Sequence, residues 1–285
     1  MSELMTRGSC LCGTVRFTYA GAFDLMTHCH CGMCRKAHAA PFATYVMGAR
    51  APFRWDAGEA AIVARESSPG FVRSFCRHCG SVLPNTHLGK RVAIPAGLFD
   101  DDPGIRPAAH IFASARAPWF AITDDLPRHD YYPGAAAAAV ERSPAPASTD
   151  GMLRGACLCG AVRYVVRGAF SAAYHCHCSR CRKARAAAHT TNGFLALDDF
   201  AIAAGADLVS TYRVPGARYF GQAFCRDCGS GVPRVDADRG AVIVPFGGLD
   251  DDPRRAVDAH IFVGSMAPWD AVTDTLPCCD GPPGG

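Results

Sequence analysis

Cysteines recur in this chain with the spacings of metal ligands. The pattern C-x-C, then C-x-C-x-x-C, then C-x-x-C occurs twice and takes in fourteen of the sixteen cysteines. Its two copies are Cys10, Cys12, Cys29, Cys31, Cys34, Cys76 and Cys79, then Cys157, Cys159, Cys176, Cys178, Cys181, Cys225 and Cys228. A closed tetrahedral zinc uses four thiolates, and the remaining three match a zinc with one open position. The spacing therefore predicts chemistry as well as architecture.

The seven cysteines of each copy divide into a closed and an open set. Residues i and i+2 of an extended segment share a face, so Cys10 and Cys12 can bind one ion together. The closed sets that we predict are Cys10, Cys12, Cys76 and Cys79, and Cys157, Cys159, Cys225 and Cys228. The open sets are Cys29, Cys31 and Cys34, and Cys176, Cys178 and Cys181. A closed set that joins distant segments is expected to stabilise the fold.

Other uses of these cysteines are weighed against zinc. Disulfides are disfavoured in a reducing cytosol, and C-x-C partners on a strand do not meet in bridge geometry. Iron is the minority metal, since four thiolates can also bind it. The three-cysteine set is instead a second closed site if His28, His30 or a distant side chain supplies a fourth ligand. His30, between two ligands, is expected to point away from the metal.

The elements that position these cysteines come from a duplicated unit. Equivalent cysteines are 147 residues apart at Cys10 and Cys157 and 149 apart at Cys76 and Cys225. We predict a first unit at 4–133, a linker rich in Ala, Pro and Ser at 134–150, and a second unit at 151–280. The protein is interpreted as a tandem repeat of one domain.

Within each unit the sequence favours short strands. Val15, Phe17 and Tyr19 alternate with polar residues after the first C-x-C, as Val162, Tyr164 and Val166 do after its repeat. FATYVM, RVAIPA, HIFASA, AVIVPF and HIFVGS are further strand candidates, whereas CRKAHAA and CRKARAA suit one or two helical turns. The predicted class is mainly β, built from small antiparallel sheets.

Composition excludes several classes of protein. The chain is 49% hydrophobic and 19% charged with a formal charge of +3, so it has no basic footprint for nucleic acid. No apolar run reaches the ~18 residues of a membrane span. The start MSELMTRGSC has no apolar signal core, and we expect a cytoplasmic protein with reduced thiols, without nucleic-acid or membrane partners.

Beyond the cysteines, the motifs resemble one family. HCHCGMCRKAHAAPF, SFCRHCGSVL, IPAGLFDDDP and HIFASARAPWFAITDDLP follow GSCLCGTVRF, and the second unit repeats the series. They closely resemble the glutathione-dependent formaldehyde-activating enzyme family, which includes centromere protein V, over nearly all of both units. That family often has Gly where this chain has Ala39 and Ala186.

This resemblance implies two tandem β-tent (Mss4-like) zinc-binding domains, with two zincs per domain and about four per chain. It implies that the closed set holds the structural zinc and the open set the catalytic one. The implied activity is that of a zinc-dependent carbon–sulfur lyase like S-(hydroxymethyl)glutathione synthase, with glutathione or another small thiol as partner. The open zinc would activate the thiol for reversible addition to a carbonyl. The alternative is a non-catalytic zinc module that binds a thiol or a protein.

Several other residues carry expectations. Arg35, Lys36, Arg182 and Lys183 follow the open sets and are candidates to bind substrate carboxylates, or else form a solvated face. His110 and His260 are expected to be hydrogen-bonded core histidines, and Trp119 and Trp269 packing residues. His189 replaces Phe42, so the two pockets should differ. Cys278 and Cys279 are interpreted as an exposed, oxidisable pair in the tail.

Overall fold

A computed structural model describes residues 5–134 and 150–283. These residues form two sets of twelve strands with a single α-helix in each set, joined by turns and short 3₁₀ segments. Both helices, α1 (Gly32–His38) and α2 (Ser179–Arg185), have seven residues. In the described ranges no helix has the length and hydropathy to cross a bilayer.

Three sheets make up the first unit. Its strands are β1 (Met5–Ser9), β2 (Arg16–Ala20), β3 (Leu25–Cys29), β4 (Ala43–Ala49), β5 (Phe53–Ala57), β6 (Ile62–Ser68), β7 (Phe71–Cys76), β8 (Val82–Leu83), β9 (Asn85–Leu88), β10 (Arg91–Pro95), β11 (Ala109–Ile111) and β12 (Arg128–His129). They pair as β1-β2-β5, β6-β7-β8 and β12-β11-β3-β4-β10-β9.

The second unit repeats this arrangement. Its strands are β13 (Leu153–Ala156), β14 (Arg163–Val166), β15 (Ala172–Cys176), β16 (Thr190–Ala196), β17 (Phe200–Ala204), β18 (Val209–Arg213), β19 (Gly221–Cys225), β20 (Gly231–Val232), β21 (Arg234–Asp236), β22 (Ala241–Pro245), β23 (Ala259–Ile261) and β24 (Cys278–Cys279). They pair as β13-β14-β17, β18-β19-β20 and β24-β23-β15-β16-β22-β21. The duplication seen in the sequence is therefore also a duplication of sheet order.

The prediction of a mainly β fold with antiparallel sheets is confirmed. Val15, Phe17 and Tyr19 are all buried, as their alternation requires. Most neighbouring strands run antiparallel, but β11 pairs parallel with both β3 and β12, and β23 does the same with β15 and β24. The AHIF segment thus lies inside a six-stranded sheet, next to the strand that ends at the first cysteine of the open set.

Each helix begins at a cysteine and ends at an alanine with unusual geometry. The Cys31 and Cys178 sulfurs accept hydrogen bonds from the backbone N–H of Cys34 and Cys181, which caps the first turn. Ala39 and Ala186 end the helices at φ of 48° and 51°, in the left-handed region that glycine occupies at least cost. The glycine frequent in the resembled family suits this position.

The two units share hydrophobic cores. Trp269 and Ala267 of the second unit are buried in the core that contains Phe17 and Phe99 of the first. Trp119 of the first unit packs in return on Phe246, with ring centroids 5.5 Å apart. The expectation that these tryptophans are packing residues is right, and the packing is between units.

Close backbone contacts join the units reciprocally. A Cβ atom on Gly97 would lie 2.3 Å from the backbone nitrogen of Ala187, and one on Gly247 would lie 2.3 Å from that of Ala40. The hydroxyls of Thr123 and Thr273 meet 2.5 Å apart where the repeats face each other. Positions 97 and 247 need glycine because a side chain at either position would occupy the space of another backbone.

The predicted division into 4–133 and 151–280 stays a prediction, because the shared cores give no independent test of it. Of the predicted linker at 134–150, residues 135–149 lie outside the described residues.

Candidate metal and thiol sites

The cysteines predicted to form closed sets lie together. Cys10 and Cys12 follow β1, Cys76 ends β7, and Cys79 lies in the next turn, with all four sulfurs within 4.8 Å of one another. The Cys10 and Cys12 sulfurs are 3.4 Å apart, and those of Cys12 and Cys76 are 3.8 Å apart. Cys157, Cys159, Cys225 and Cys228 form the same group in the second unit.

The three-cysteine sets also assemble. Cys29 ends β3, Cys31 caps α1 and Cys34 lies in its first turn, again with sulfurs within 4.8 Å of one another. The Cys29 and Cys31 sulfurs are 3.6 Å apart. Cys29 and Cys34 are buried, whereas Cys31 is partly exposed, as is its equivalent Cys178. Each three-cysteine cluster therefore has two buried members and one partly exposed member.

The spacing of the sulfurs fits a metal ion. Ligands about 2.3 Å from a tetrahedral zinc lie about 3.8 Å apart, and the measured sulfur pairs span 3.4 to 3.9 Å. Backbone N–H groups support the closed sets, since Val15 donates to Cys10 Sγ and Val162 to Cys157 Sγ, both at 3.3 Å. The cysteine clusters of both units could hold metal ions.

We expect a mercurial thiol reagent to release about four zinc ions per chain from the reduced, metal-loaded protein, because four thiolate clusters are present. A zinc indicator read during the titration, with elemental analysis before it, gives the count. Release of about two ions, with Cys31 and Cys178 freely alkylated in the native protein, would contradict the assignment of metal to the three-cysteine clusters.

Histidines beside the open set bond elsewhere. His28 Nδ1 lies 2.8 Å from the Thr44 hydroxyl, and His30 Nε2 lies 2.7 Å from His110 Nδ1. His110 Nε2 in turn bonds to Asp124 at 2.9 Å. His28 also precedes Cys29 on a strand and so faces the opposite side of the sheet. These contacts agree with His110 as a hydrogen-bonded core residue and place His30 away from the thiols.

A guanidinium lies beside the first open set. Arg73 Nη2 donates to Cys34 Sγ at 3.5 Å, and Arg73 Nη1 donates to the Tyr45 hydroxyl at 3.2 Å. Burial lowers the pKa of Arg73, but Cys34, Tyr45 and Cys31 together outweigh this effect and the net pKa is raised. His38 links Tyr45 to the second unit, with Nε2 2.8 Å from the Tyr45 hydroxyl and Nδ1 2.7 Å from the Arg185 carbonyl oxygen.

The second unit places its guanidinium differently. Gln222 stands where the first unit has Arg73, and Arg185 stands where it has His38. Arg185 is buried, which lowers its pKa to about 10, while the Cys181 thiolate acts in the opposite direction. One arginine, partly buried at Arg73 and buried at Arg185, therefore accompanies each open set, from a strand in the first unit and a helix in the second. An alignment of the two copies shows that the arginine changes position, whereas the cysteine spacing alone does not reveal it.

The cations predicted to bind substrate lie at the junction of the units. Arg35 Nη1 donates to the Leu249 carbonyl at 2.8 Å, and Arg182 Nη1 donates to the Phe99 carbonyl at 3.0 Å. Lys36 and Lys183 bond to backbone carbonyls and pair with acids of the opposite unit. Their role toward substrate stays a prediction, and their polar atoms already bind the neighbouring unit.

Asp250 and Asp100 are the acidic partners of these two lysines. Asp250 lies 2.7 Å from Lys36 Nζ and Asp100 lies 2.5 Å from Lys183 Nζ. Burial lowers the pKa of both lysines, and these carboxylates oppose that shift. Each pair joins a largely buried lysine of one unit to a more exposed carboxylate of the other, so the ion pairs connect the units reciprocally.

The prediction of an exposed cysteine pair in the tail is wrong for one member. Cys278 is exposed, but Cys279 is partly buried and packs on the cluster that contains Cys176 and Cys181. Both belong to β24, which pairs with β23 at the edge of the six-stranded sheet. A thiol outside the repeated pattern thus lies near the second open set, where the first unit has His129.

A cavity of about 300 Å³ lies between the units. Both units line it, with Phe42, Phe120 and His110 from the first and His189, Asp270 and His260 from the second. The predicted difference between Phe42 and His189 therefore falls within one shared cavity rather than in two separate pockets. Neither this cavity nor the groove near Arg7 includes a cysteine of the open sets in its lining.

Comparison with known proteins agrees with the motifs. The family model described as "Glutathione-dependent formaldehyde-activating enzyme" matches residues 5–115 and again residues 152–265. A Rhodobacter sphaeroides protein of known crystal structure is 29% identical over 32% of this chain and 82% of its own, with a TM-score of 0.27. No curated protein matches the chain.

Proposed function

The chain belongs to the glutathione-dependent formaldehyde-activating enzyme family, and from that membership we propose that it is a zinc-dependent carbon–sulfur lyase acting on a small thiol. Its reaction is the reversible addition of glutathione, or a related thiol, to a small carbonyl such as formaldehyde. The observation that carries the proposal is a three-cysteine cluster in each unit, separate from the closed four-cysteine cluster and one thiolate short of a closed site.

Each open cluster supplies three ligands, which leaves the fourth position of a tetrahedral zinc to another ligand. Cys29, Cys31 and Cys34 would hold one zinc, and Cys176, Cys178 and Cys181 its equivalent. A zinc bound there would lower the pKa of a fourth, exogenous thiol and keep it as a thiolate nucleophile. The cysteines of the chain act as ligands, and the nucleophile belongs to the substrate.

Arginines near the clusters favour this use of them. Three thiolates and one divalent ion carry a net negative charge, which would repel an incoming thiolate. Arg73 donates to Cys34 Sγ, and the Cys181 thiolate acts on the charge of Arg185. Arg185 is buried and Arg73 is partly buried, so their charges are screened less than charges in bulk water.

The bond changes balance without an oxidant or reductant. The thiol loses its proton, and its sulfur forms the new bond to the carbonyl carbon. The carbonyl π electrons move to oxygen, which takes up a proton to give the hydroxyl of the adduct. In the reverse direction the hydroxyl loses that proton and the carbon–sulfur bond breaks.

The first open cluster has a hydroxyl group beside it, that of Tyr45, which His38 and Arg73 hold in place. The second unit has Asn192 at this position.

The test is thiol binding with proton release. Glutathione added to the zinc-loaded chain near pH 7 should release a proton, because a free thiol with a pKa of about 8.5 is mostly protonated there. Titration calorimetry in buffers of different ionisation enthalpy measures it. We expect the combined variant Cys29→Ser and Cys176→Ser to abolish the signal and the exposed Cys278→Ser to leave it unchanged.

A second candidate function is that of a non-catalytic zinc module that binds a thiol or a protein. It is favoured by the absence of open-set cysteines from the lining of the two cavities described above. Proton release without formation of the adduct from glutathione and formaldehyde, followed by NMR, would support this module. No proton release with any small thiol would remove the thiol-activation proposal itself.

A further inference from the structure

The internal symmetry of the protein is broken at two positions in the cavity between the units. Phe42 of the first unit corresponds to His189 of the second, and Phe120 corresponds to Asp270. Phe42 and Phe120 pack together with ring centroids 5.2 Å apart. An apolar pair in one unit is thus replaced by two metal-binding side chains in the other.

His189 and Asp270 converge with a third side chain. Asp270 Oδ2 lies 3.9 Å from His189 Nδ1 and 3.5 Å from His177 Nδ1. The three side chains are 8%, 7% and 1% exposed, respectively. Both distances exceed the 2.7–3.2 Å of a normal hydrogen bond. The groups therefore face one another closely without bonding directly.

All three side chains have unpartnered polar atoms. Among the residues that the structure describes, His177 Nδ1, Asp270 Oδ2 and both ring nitrogens of His189 have no hydrogen-bond partner. Leaving a buried polar group unsatisfied is destabilising, and nearly all such groups in proteins find a partner. Several at one point indicate that something else satisfies them.

A relay of hydrogen bonds fixes the orientation of the His177 ring. The Asp274 carboxylate only accepts, so the His260 Nε2 that lies 3.1 Å away donates to it. His260 Nδ1 and His177 Nε2 lie 2.8 Å apart and share one hydrogen bond. His177 Nδ1 is thereby directed at the Asp270 oxygen 3.5 Å away, where neither atom has a hydrogen-bond partner in the described part of the chain. A metal ion between the two atoms would satisfy both.

We propose that His177, His189 and Asp270 form a binding site for a divalent first-row transition metal. Two nitrogens and one carboxylate oxygen are a common ligand set for zinc and its neighbours in that series. Ligands about 2.1 Å from a tetrahedral ion lie about 3.4 Å apart, so the measured 3.5 and 3.9 Å need only a small contraction. His260 and Asp274 supply the outer hydrogen bonds that orient metal-bound histidines.

The site opens onto the shared cavity. Phe42 and Phe120 of the first unit form part of its wall, with Phe42 packed edge-on to His189 at 5.5 Å between ring centroids. The chain supplies three ligands, so a water or a small ligand in the cavity takes the remaining position. The site is chemically distinct from the thiolate clusters because it contains no sulfur.

A neighbouring group is the weaker candidate. His175, His260 and Asp274 also place three ligand atoms within 4.8 Å of one another. Yet His260 and Asp274 already bond to each other, and His175 Nδ1 bonds to the Thr191 hydroxyl at 2.8 Å. These hydrogen bonds satisfy the polar atoms of the neighbouring group, whereas the polar atoms of the proposed site have no partner within the described ranges.

Cobalt substitution of the full chain tests the proposal. The paired substitution His189→Phe and Asp270→Phe installs the residues of the first unit and removes two ligands. We expect it to bind about one Co²⁺ fewer per chain than the wild type by elemental analysis. The lost absorption should be ligand-field absorption without thiolate charge-transfer bands, since no sulfur is involved. Equal cobalt content in the two proteins would overturn the proposal and indicate a proton between the groups.

Milder variants guard against a folding defect. Asp270→Asn keeps the shape of the side chain and should weaken the sulfur-free cobalt site by at least about tenfold, with the thiolate bands retained. His30→Asn changes the first-unit equivalent of His177, which faces the two phenylalanines, and should leave the sulfur-free signal intact. Unchanged affinity in Asp270→Asn, or equal loss in His30→Asn, would reject the site.

Discussion

Cys76→Ser should unfold the chain, whereas Cys31→Ser should leave it folded. Apparent zinc binding at a structural site contributes about 10–16 kcal/mol, as much as the about 5–15 kcal/mol by which a whole domain is stable. Cys76 is fully buried in the core that also contains Trp269 of the second unit. We therefore expect loss of the closed site to destabilise both units, measured as a loss of cooperative thermal unfolding by circular dichroism.

The matched variant changes a partly exposed cysteine. Cys31 caps α1, and serine is itself a preferred residue at this position, so Cys31→Ser keeps the hydrogen bond that begins the helix. Its melting curve should stay close to that of the wild type while the open site loses a ligand. Equal damage from the two substitutions would contradict the division into structural and open sites.

Gly97→Ala combined with Gly247→Ala should weaken the junction between the units. Each new Cβ would approach a backbone nitrogen of the opposite unit to 2.3 Å, and a backbone atom cannot rotate away as a flexible side chain can. Overpacking typically costs about 1–3 kcal/mol per site. The two sites together then cost about 2–6 kcal/mol, and at about 2–4 °C per kcal/mol in a protein of this size the melting temperature should fall by about 4–24 °C.

Gly281→Ala is the control for that pair, because nothing lies within 4 Å of the Cβ that it adds. Its melting temperature should not change measurably. If the paired variant is as stable as the control, the close approach of Gly97 to Ala187 and of Gly247 to Ala40 is not a feature of the folded protein.

The sequence predicts the local structure well because each signal is local. Alternation after Cys10 is enough to identify the buried face of β2, and two repeated cysteine spacings are enough to predict which thiols lie together. The short helix after Cys31 follows from a ligand that also serves as a cap. In these cases the residues that define the pattern are those that make the contact.

The junction could not be predicted in the same way. Lys36 resembles a substrate-binding residue because it follows an open cluster, but its ammonium lies 3.0 Å from the carbonyl oxygen of Ala156, 120 positions away. Asp270 occupies the position of a phenylalanine, and nothing in its own segment reveals that it faces His177 and His189. Such contacts depend on how the two repeats pack, which no single-repeat pattern specifies.

The join between the repeats has a consequence for how this protein can change. In an assembly of two identical chains, every mutation at the two-fold axis appears on both sides at once. Here the two sides are encoded separately, so an apolar Phe42 can pack against a polar His189 at 5.5 Å between ring centroids. Because the repeats are joined in one chain, equivalent positions at their junction can evolve independently. One can keep an apolar residue for packing while the other gains a polar residue that can bind a ligand.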